Sequence, residues 1–131
     1  SEKAALMGLG LDTALDVFEY AGAVGEAAVA EATLARRPLG DAETMLVGPG
    51  DTPCFRAHEL VVRGDVADPR RGQVYSGIVV KGAGEIVTPK GSVALRPGDS
   101  FFVPAGSQHE GYRSAGGMTV ITSFPPVPTG A

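Results

Sequence analysis

The segment from Pro97 to Tyr112, PGDSFFVPAGSQHEGY, constrains the fold of this chain more than any other. Its Gly98-Asp99 pair predicts a tight turn, because glycine tolerates a positive φ and aspartate can bond nearby backbone amides. Residues 100–103 then predict a short strand, whose successive side chains point to opposite faces. A Pro-x-Gly turn follows, and a histidine comes three residues after its glycine. The segment therefore predicts two turns that flank a strand, with an imidazole at a fixed place behind them.

This order of residues, G-D-x4-P-x-G-x2-H, resembles the second signature of the cupin superfamily. Members of that superfamily are small barrels, known as double-stranded β-helices or jelly rolls. The resemblance implies a mainly β fold, and it places His109 where metal-binding cupins have an imidazole ligand. The residues that carry the fold signature are Gly98, Asp99, Pro104 and Gly106. Whether His109 can bind a metal therefore depends on the residues at the other ligand positions.

The first cupin signature normally completes the metal site with two histidines and a glutamate, and this chain departs from it. If Gly82 is the final glycine of that signature, the glutamate position falls on Tyr75. The two histidine positions fall on other residue types, which are Asp68 or Pro69 for the first and Arg70 or Arg71 for the second. Arginine stays protonated and is a poor ligand, and a metal site needs three or four converging ligands. We therefore predict no metal ligand and no cofactor in this chain.

The chain changes from helical to strand-like patterns near residue 44. Residues 11–21 predict a short helix from their apolar spacing, and residues 25–37 predict a second one from their alanine content and charge order. Short segments of strand propensity follow, separated by turns, at 44–47, 55–62, 73–80, 84–88, 92–95, 100–103 and 118–124. We therefore predict a connector with one or two helices at 1–43, a β-barrel at 44–124 and a Pro-rich tail at 125–131, in one structural domain.

Composition excludes several classes of function. The 131 residues carry a net charge of −4, so we expect no partner among nucleic acids or anionic membranes. Cys54 is the single cysteine, which fits a reducing compartment, and no apolar run reaches the length of a membrane-spanning helix. We therefore predict a soluble, cytoplasmic protein. The motifs of nucleotide-binding loops, serine hydrolases and Cys-x-x-Cys sites are also absent.

The candidate ligand contacts at the mouth of the predicted barrel are His109, Tyr75, Tyr112 and Glu110. None is assigned a catalytic role, since no spacing brings Glu85 and Glu110 together as an acid/base pair. Neighbours on a strand face opposite ways, so His58 and the residue after it cannot both point inward. We predict that His58 is a surface or edge residue. We predict that Cys54 is a small, buried apolar residue.

Read as a whole, the chain resembles the carboxy-terminal part of type I mannose-6-phosphate isomerases. The likeness rests on the helix residues Ala14, Leu15, Asp16 and Tyr20, on Phe55 in the following strand, and on the tail VITSFPP. In that family the zinc ion and the catalytic residues lie in an upstream cupin half. The resemblance therefore implies a non-catalytic domain that partners this half in converting mannose 6-phosphate to fructose 6-phosphate.

Two other interpretations stay open. The chain is either a stand-alone small cupin that binds a sugar, a sugar phosphate or another small molecule without metal, or a metal-dependent cupin enzyme with an atypical ligand set. A homodimer is compatible with each interpretation, because the edges of jelly rolls often pair.

Overall fold

The structure is a computed structural model that describes residues 10–16, 22, 24–68 and 72–127. The chain divides into two compact units, residues 1–33 and residues 34–131. The boundaries predicted from the sequence, after residues 43 and 124, stay a prediction. None of the helices among the described residues is long and apolar enough to cross a membrane.

The first unit contains two short helices in its described part, α1 (Leu11–Leu15) and α2 (Glu26–Ala32). The predicted helix at 11–21 is present over its first five residues, and residues 17–21 lie outside the described part. The second prediction, at 25–37, extends too far. Thr33 follows α2 with an extended backbone (φ −92°, ψ 116°), and its hydroxyl donates to the carbonyl of Val29. This β-branched residue ends the helix before the arginines that suggested a longer one.

The second unit is built from antiparallel strands, which confirms the prediction of a mainly β fold. Its described residues form eight strands: β1 (Arg37–Pro38), β2 (Glu43–Val47), β3 (Arg56–Ala67), β4 (Tyr75–Gly82), β5 (Gly84–Thr88), β6 (Gly91–Leu95), β7 (Ser100–Val103) and β8 (Gly111–Phe124). The strand order is β1-β2-β3-β8-β4-β7, and β5 pairs with both β6 and β8. Because β8 pairs early with β5 and later with β4, the sheet turns back on itself and encloses an interior.

All seven predicted strands are present, most with ends within two residues of the prediction, and two of them extend much further than predicted. β3 continues to Ala67, and β8 begins at Gly111. The pairing of these two strands shifts register between Val62 and Gly64, and both Gly64 (φ 71°) and Gly117 (φ 88°) adopt a positive φ. Such a bulge interrupts the alternation of side chains without ending the strand. The sequence pattern therefore stops at the bulge, while the strands continue through it.

Two adjoining clusters fill the interior of the barrel. The larger is mostly aliphatic and contains Leu60, Val62, Val79, Leu95, Tyr112, Met118 and Val120. The smaller contains Tyr75, Val103 and Phe124, and Phe101 packs against both clusters. The interior thus changes from aliphatic to aromatic, and polar side chains gather at the aromatic part.

The two predicted turns around β7 form as expected. Gly98 has a φ of 90°, and the carboxylate of Asp99 accepts a hydrogen bond from the backbone N–H of Arg96 at 2.8 Å. Gly106 has a φ of 77°, and the N–H of Ser107 donates to the carbonyl of Pro104 at 3.1 Å. These turns hold the loop that carries the histidine.

Candidate functional site

Four buried polar side chains meet in the interior of the barrel: Asp68, Tyr75, His109 and Tyr112. The hydroxyl of Tyr75 lies 2.9 Å from Nε2 of His109, 3.1 Å from Oδ2 of Asp68 and 2.6 Å from the hydroxyl of Tyr112. Nε2 of His109 lies 2.5 Å from the same Asp68 oxygen. The exposed fraction of each residue is 8% or less. We call these four residues the Asp68 cluster.

The ends of strands supply all four members of the Asp68 cluster. Asp68 directly follows β3, Tyr75 begins β4, and His109 and Tyr112 lie on either side of the first residue of β8. The backbone N–H of Asp68 donates to the carbonyl of Glu110 at 3.3 Å, which ties the end of β3 to the loop before β8. Side chains that are far apart in the sequence are therefore held together by the sheet and not by a local motif.

The hydrogen bonds of the Asp68 cluster converge on one carboxylate oxygen. Burial raises the pKa of Tyr75 and the pKa of Tyr112, so both phenols stay protonated at neutral pH. Tyr75 donates its hydroxyl proton to Asp68, and the hydroxyl oxygen of Tyr75 accepts a hydrogen bond from Tyr112. Nε2–H of His109 donates to Asp68, and its Nδ1 lies 2.9 Å from the hydroxyl of Ser107. Protons are thus arranged along a continuous path through the interior.

The alignment to the cupin signatures anticipated part of this arrangement. Tyr75 and Asp68, at the predicted glutamate and first histidine positions, lie beside His109. Tyr112, a predicted ligand contact, joins them, whereas Glu110 is exposed and lies outside the cluster. The alternative positions, Pro69, Arg70 and Arg71, fall outside the described residues. That any of these side chains contacts a ligand stays a prediction.

The imidazole of His109 connects the Asp68 cluster to the surface. It borders two overlapping cavities, of about 330 Å³ and 300 Å³. The residues that line them are Thr88, Pro89, Lys90, Ser107, Gln108, His109 and Glu110. A small molecule in these cavities would therefore meet polar and charged groups at the entrance and the buried hydrogen-bond path behind His109.

His58 occupies a second polar position inside the barrel, and the prediction that it lies at the surface or an edge is wrong. Its exposed fraction is 3%, because His58, Leu60 and Val62 share the buried face of β3. Nδ1 lies 2.9 Å from Oε1 of Glu43, on the neighbouring strand β2, and the ring meets Phe124 edge-on at 5.2 Å. The alternation with buried Leu60 and Val62 was the available sequence signal. Glu43 was missed altogether.

Two other sequence candidates lie elsewhere on the molecule. Cys54 is exposed, so the prediction that it is buried is wrong: it belongs to the loop between β2 and β3, outside the sheet. Glu85, on β5, accepts hydrogen bonds from Arg113 at 3.1 Å and from Ser92. These contacts place Glu85 in a surface network with residues of β6 and β8.

Comparison with solved structures identifies the fold. No protein-family model matches the chain, and no curated protein matches it. Solved structures do match: KdgF from Halomonas sp. has a TM-score of 0.56 and 24% identity, covering 73% of this chain and 89% of that one. An RmlC-like cupin from Shewanella frigidimarina has a TM-score of 0.55 and 22% identity, covering 76% and 88%. The chain has the cupin fold.

A third similar structure is described as a sugar phosphate isomerase from a cupin superfamily, from Silicibacter pomeroyi. It has a TM-score of 0.54 and 18% identity, and the match covers 73% of each chain. At such identities the likeness concerns the fold alone. It does not transfer an activity to this cupin barrel, and the resemblance to mannose-6-phosphate isomerases is not shown by these comparisons.

The donor set of the cupin barrel does not fit a metal ion. Within the described residues, no group of three or more histidine, cysteine, aspartate or glutamate side chains is placed to hold one. The Asp68 cluster offers one imidazole and one carboxylate, and its two phenols have raised pKa values, which disfavour the phenolate form that binds metals. The donors at this site therefore do not support a metal-dependent step.

Proposed function

We propose that this cupin barrel binds a small hydroxylated molecule, such as a sugar, a sugar phosphate or a sugar acid, at the Asp68 cluster and without a metal ion. The observation that carries the proposal is the convergence of Tyr75 and His109 on one buried oxygen of Asp68. A hydroxyl group can both donate and accept, so it can join or replace a member of such a path. The same path can return a proton to a bound molecule, as acid–base chemistry requires.

The cavities beside His109 support this choice of ligand. Their volumes, about 330 Å³ and 300 Å³, lie at the lower end of the range for small-molecule sites. Lys90 offers a positive charge to a phosphate or carboxylate group, and Gln108 and Ser107 offer neutral hydrogen bonds. A monosaccharide or its phosphate matches this combination of size and polarity.

Titration with D-mannose, D-mannose 6-phosphate and D-galacturonate, followed by NMR of the histidine side chains, tests the proposal. We expect at least one probe to shift the His109 signals, and Tyr75→Phe to weaken its binding about tenfold, because the hydroxyl of Tyr75 helps to hold Asp68 and His109 in place. Val93→Ala, at an exposed position of β6, serves as the control and should bind as the wild type does. Failure of all three probes to shift His109 would contradict the proposal. Stoichiometric zinc, iron or manganese in the purified protein would contradict its metal-free form.

We propose as a second candidate that the barrel is the carboxy-terminal, non-catalytic domain of a mannose-6-phosphate isomerase-like protein. In its support, α1 carries Leu15 ahead of the barrel and Asp16 directly follows that helix, in the order that the resemblance implies. A similar structure is also described as a sugar phosphate isomerase. In this case the partner is an upstream zinc-carrying half. An isomerase assay of the 131 residues tests it: turnover by this chain alone would contradict a non-catalytic role.

A further inference from the structure

The imidazole of His58 is buried, and only one of its two ring nitrogens has a hydrogen-bond partner among the described residues, the carboxylate of Glu43. Nδ1 contacts the Glu43 carboxylate, while Nε2 is buried and has no hydrogen-bond partner among the described residues. Burial lowers the pKa of His58, and the charge of Arg56 adds to this effect. The negative charge of Glu43 acts to raise this pKa. Because the imidazole is only 3% exposed, we expect burial to dominate and His58 to be neutral.

The neutral form fixes the tautomer of His58. A carboxylate accepts hydrogen bonds, so the ring proton lies on Nδ1 and faces Glu43. Nε2 then carries a lone pair and acts as an acceptor. Buried polar atoms in proteins are almost always paired, and an exception calls for a specific explanation. The Glu43 carboxylate thus positions an acceptor whose partner is not supplied by the described residues.

This acceptor lies on the same interior surface as the Asp68 cluster. The ring of Phe124 lies 5.2 Å from the ring of His58 on one side and 5.2 Å from the ring of Tyr75 on the other. A single aromatic ring therefore separates His58 from Tyr75, and a molecule that contacts both requires this ring to move on binding.

We propose that His58 is a second ligand-contacting residue of the barrel, whose Nε2 accepts a hydrogen bond from a hydroxyl group of the bound molecule. The inference rests on the proposed function, since it concerns the same sugar-type ligand. Glu43 is a positioning residue: it contacts the imidazole, holds the proton on Nδ1 and so keeps Nε2 available.

An NMR experiment tests the unpaired nitrogen without any ligand. In protein labelled with ¹⁵N-histidine, a ring nitrogen that carries a proton and one that carries a lone pair differ in chemical shift and in coupling to the ring protons. We expect His58 to be neutral, with its proton on Nδ1 and a lone pair on Nε2. A proton on Nε2 of His58 would overturn the inference.

A titration with D-mannose 6-phosphate tests the contact itself. In protein labelled with ¹⁵N-histidine, we expect the His58 Nε2 signal to shift together with the His109 signals. His58→Leu should weaken binding about tenfold, while the matched variant His58→Gln, which keeps an acceptor, should retain most of the affinity. A shift of His109 without His58, or equal binding by His58→Leu, would overturn the inference.

The two proposals fail in different ways. A shift of His58 without His109 contradicts the proposed function and supports the contact at His58. If this probe shifts neither residue, the proposed function loses its sugar-phosphate ligand, and the tautomer of His58 decides whether Nε2 is a free acceptor.

Discussion

The interior of this barrel has an aliphatic part and a polar part, and they are built in different ways. The aliphatic part takes its side chains from the middle of strands, as with Val62, Val79 and Val120, which are 0–1% exposed. The polar part takes Asp68 and His109 from residues that lie just outside the strands. The regular alternation of the strands therefore supplies packing, and the strand ends supply chemistry. The difference predicts that stability and binding respond to different substitutions.

The largest effect is expected in the aliphatic part. Met118→Ala removes a side chain from a position that is 1% exposed and leaves a cavity, so it should destabilise the fold by about 2–5 kcal/mol. Urea unfolding measures this loss. The matched control is Val93→Ala, at 57% exposure, where we expect a change of about 0.5 kcal/mol or less. Similar losses at both positions would contradict the assignment of the core.

A smaller loss of stability is expected in the polar part, together with a loss of binding. Tyr75→Phe removes the hydroxyl between Asp68 and Tyr112, so we expect a destabilisation of about 1–3 kcal/mol. Tyr112→Phe removes only the first donor of the path, so its effect should be smaller. Urea unfolding of both variants measures the two losses of unfolding free energy. A larger loss for Tyr112→Phe would place the centre of the cluster at Tyr112.

The pH dependence of stability should reveal His58. Its pKa is lowered in the folded state, so below its ordinary value of 6.5 the unfolded chain binds the proton first. Stability is then full above that value and falls as the pH decreases toward the folded pKa. We expect wild type to lose more stability than His58→Leu between about pH 7.5 and about pH 5, as measured by urea unfolding. Equal losses would show that Glu43 offsets the effect of burial.

The smallest effect is expected on the solvent-exposed outer face of the barrel. Arg113 pairs with Asp65 at 2.6 Å and with Glu85 at 3.1 Å, and these contacts raise the pKa of Arg113. The guanidinium is exposed to solvent, where ion pairs add little and are screened by salt. Arg113→Gln should leave the urea midpoint unchanged within error at physiological ionic strength. A clear loss would assign this surface network a structural role comparable to the interior.

The sequence predicts the parts of this fold that depend on neighbouring residues. The turns at Gly98-Asp99 and Pro104–Gly106 follow from the conformations that glycine, proline and aspartate favour, and both are present. The short strand β1 was missed, because its two residues have no pattern apart from their pairing with β2. Local chemistry therefore identifies the turns, and pairing between distant segments decides the rest.

The candidate site shows the same limit. A resemblance of signatures was enough to place Tyr75 and Asp68 near His109, but it did not reveal that their polar atoms lie within 3.1 Å of each other. The burial of His58 depends on Glu43 and Phe124, which come from β2 and β8. The alternation with Leu60 and Val62 could have placed His58 on the buried face of β3, but its pairing with Glu43 required the structure.

The position of β8 also has a consequence for how the barrel forms during translation. This strand, Gly111–Phe124, is the shared partner of β3, β4 and β5, and all three precede it in the chain. Until it has left the ribosome, each of these strands has an open edge that can pair with another chain. Pairing across such sequence separations is slow, typically in milliseconds to seconds. The nascent chain therefore exposes these edges to aggregation until β8 closes the sheet.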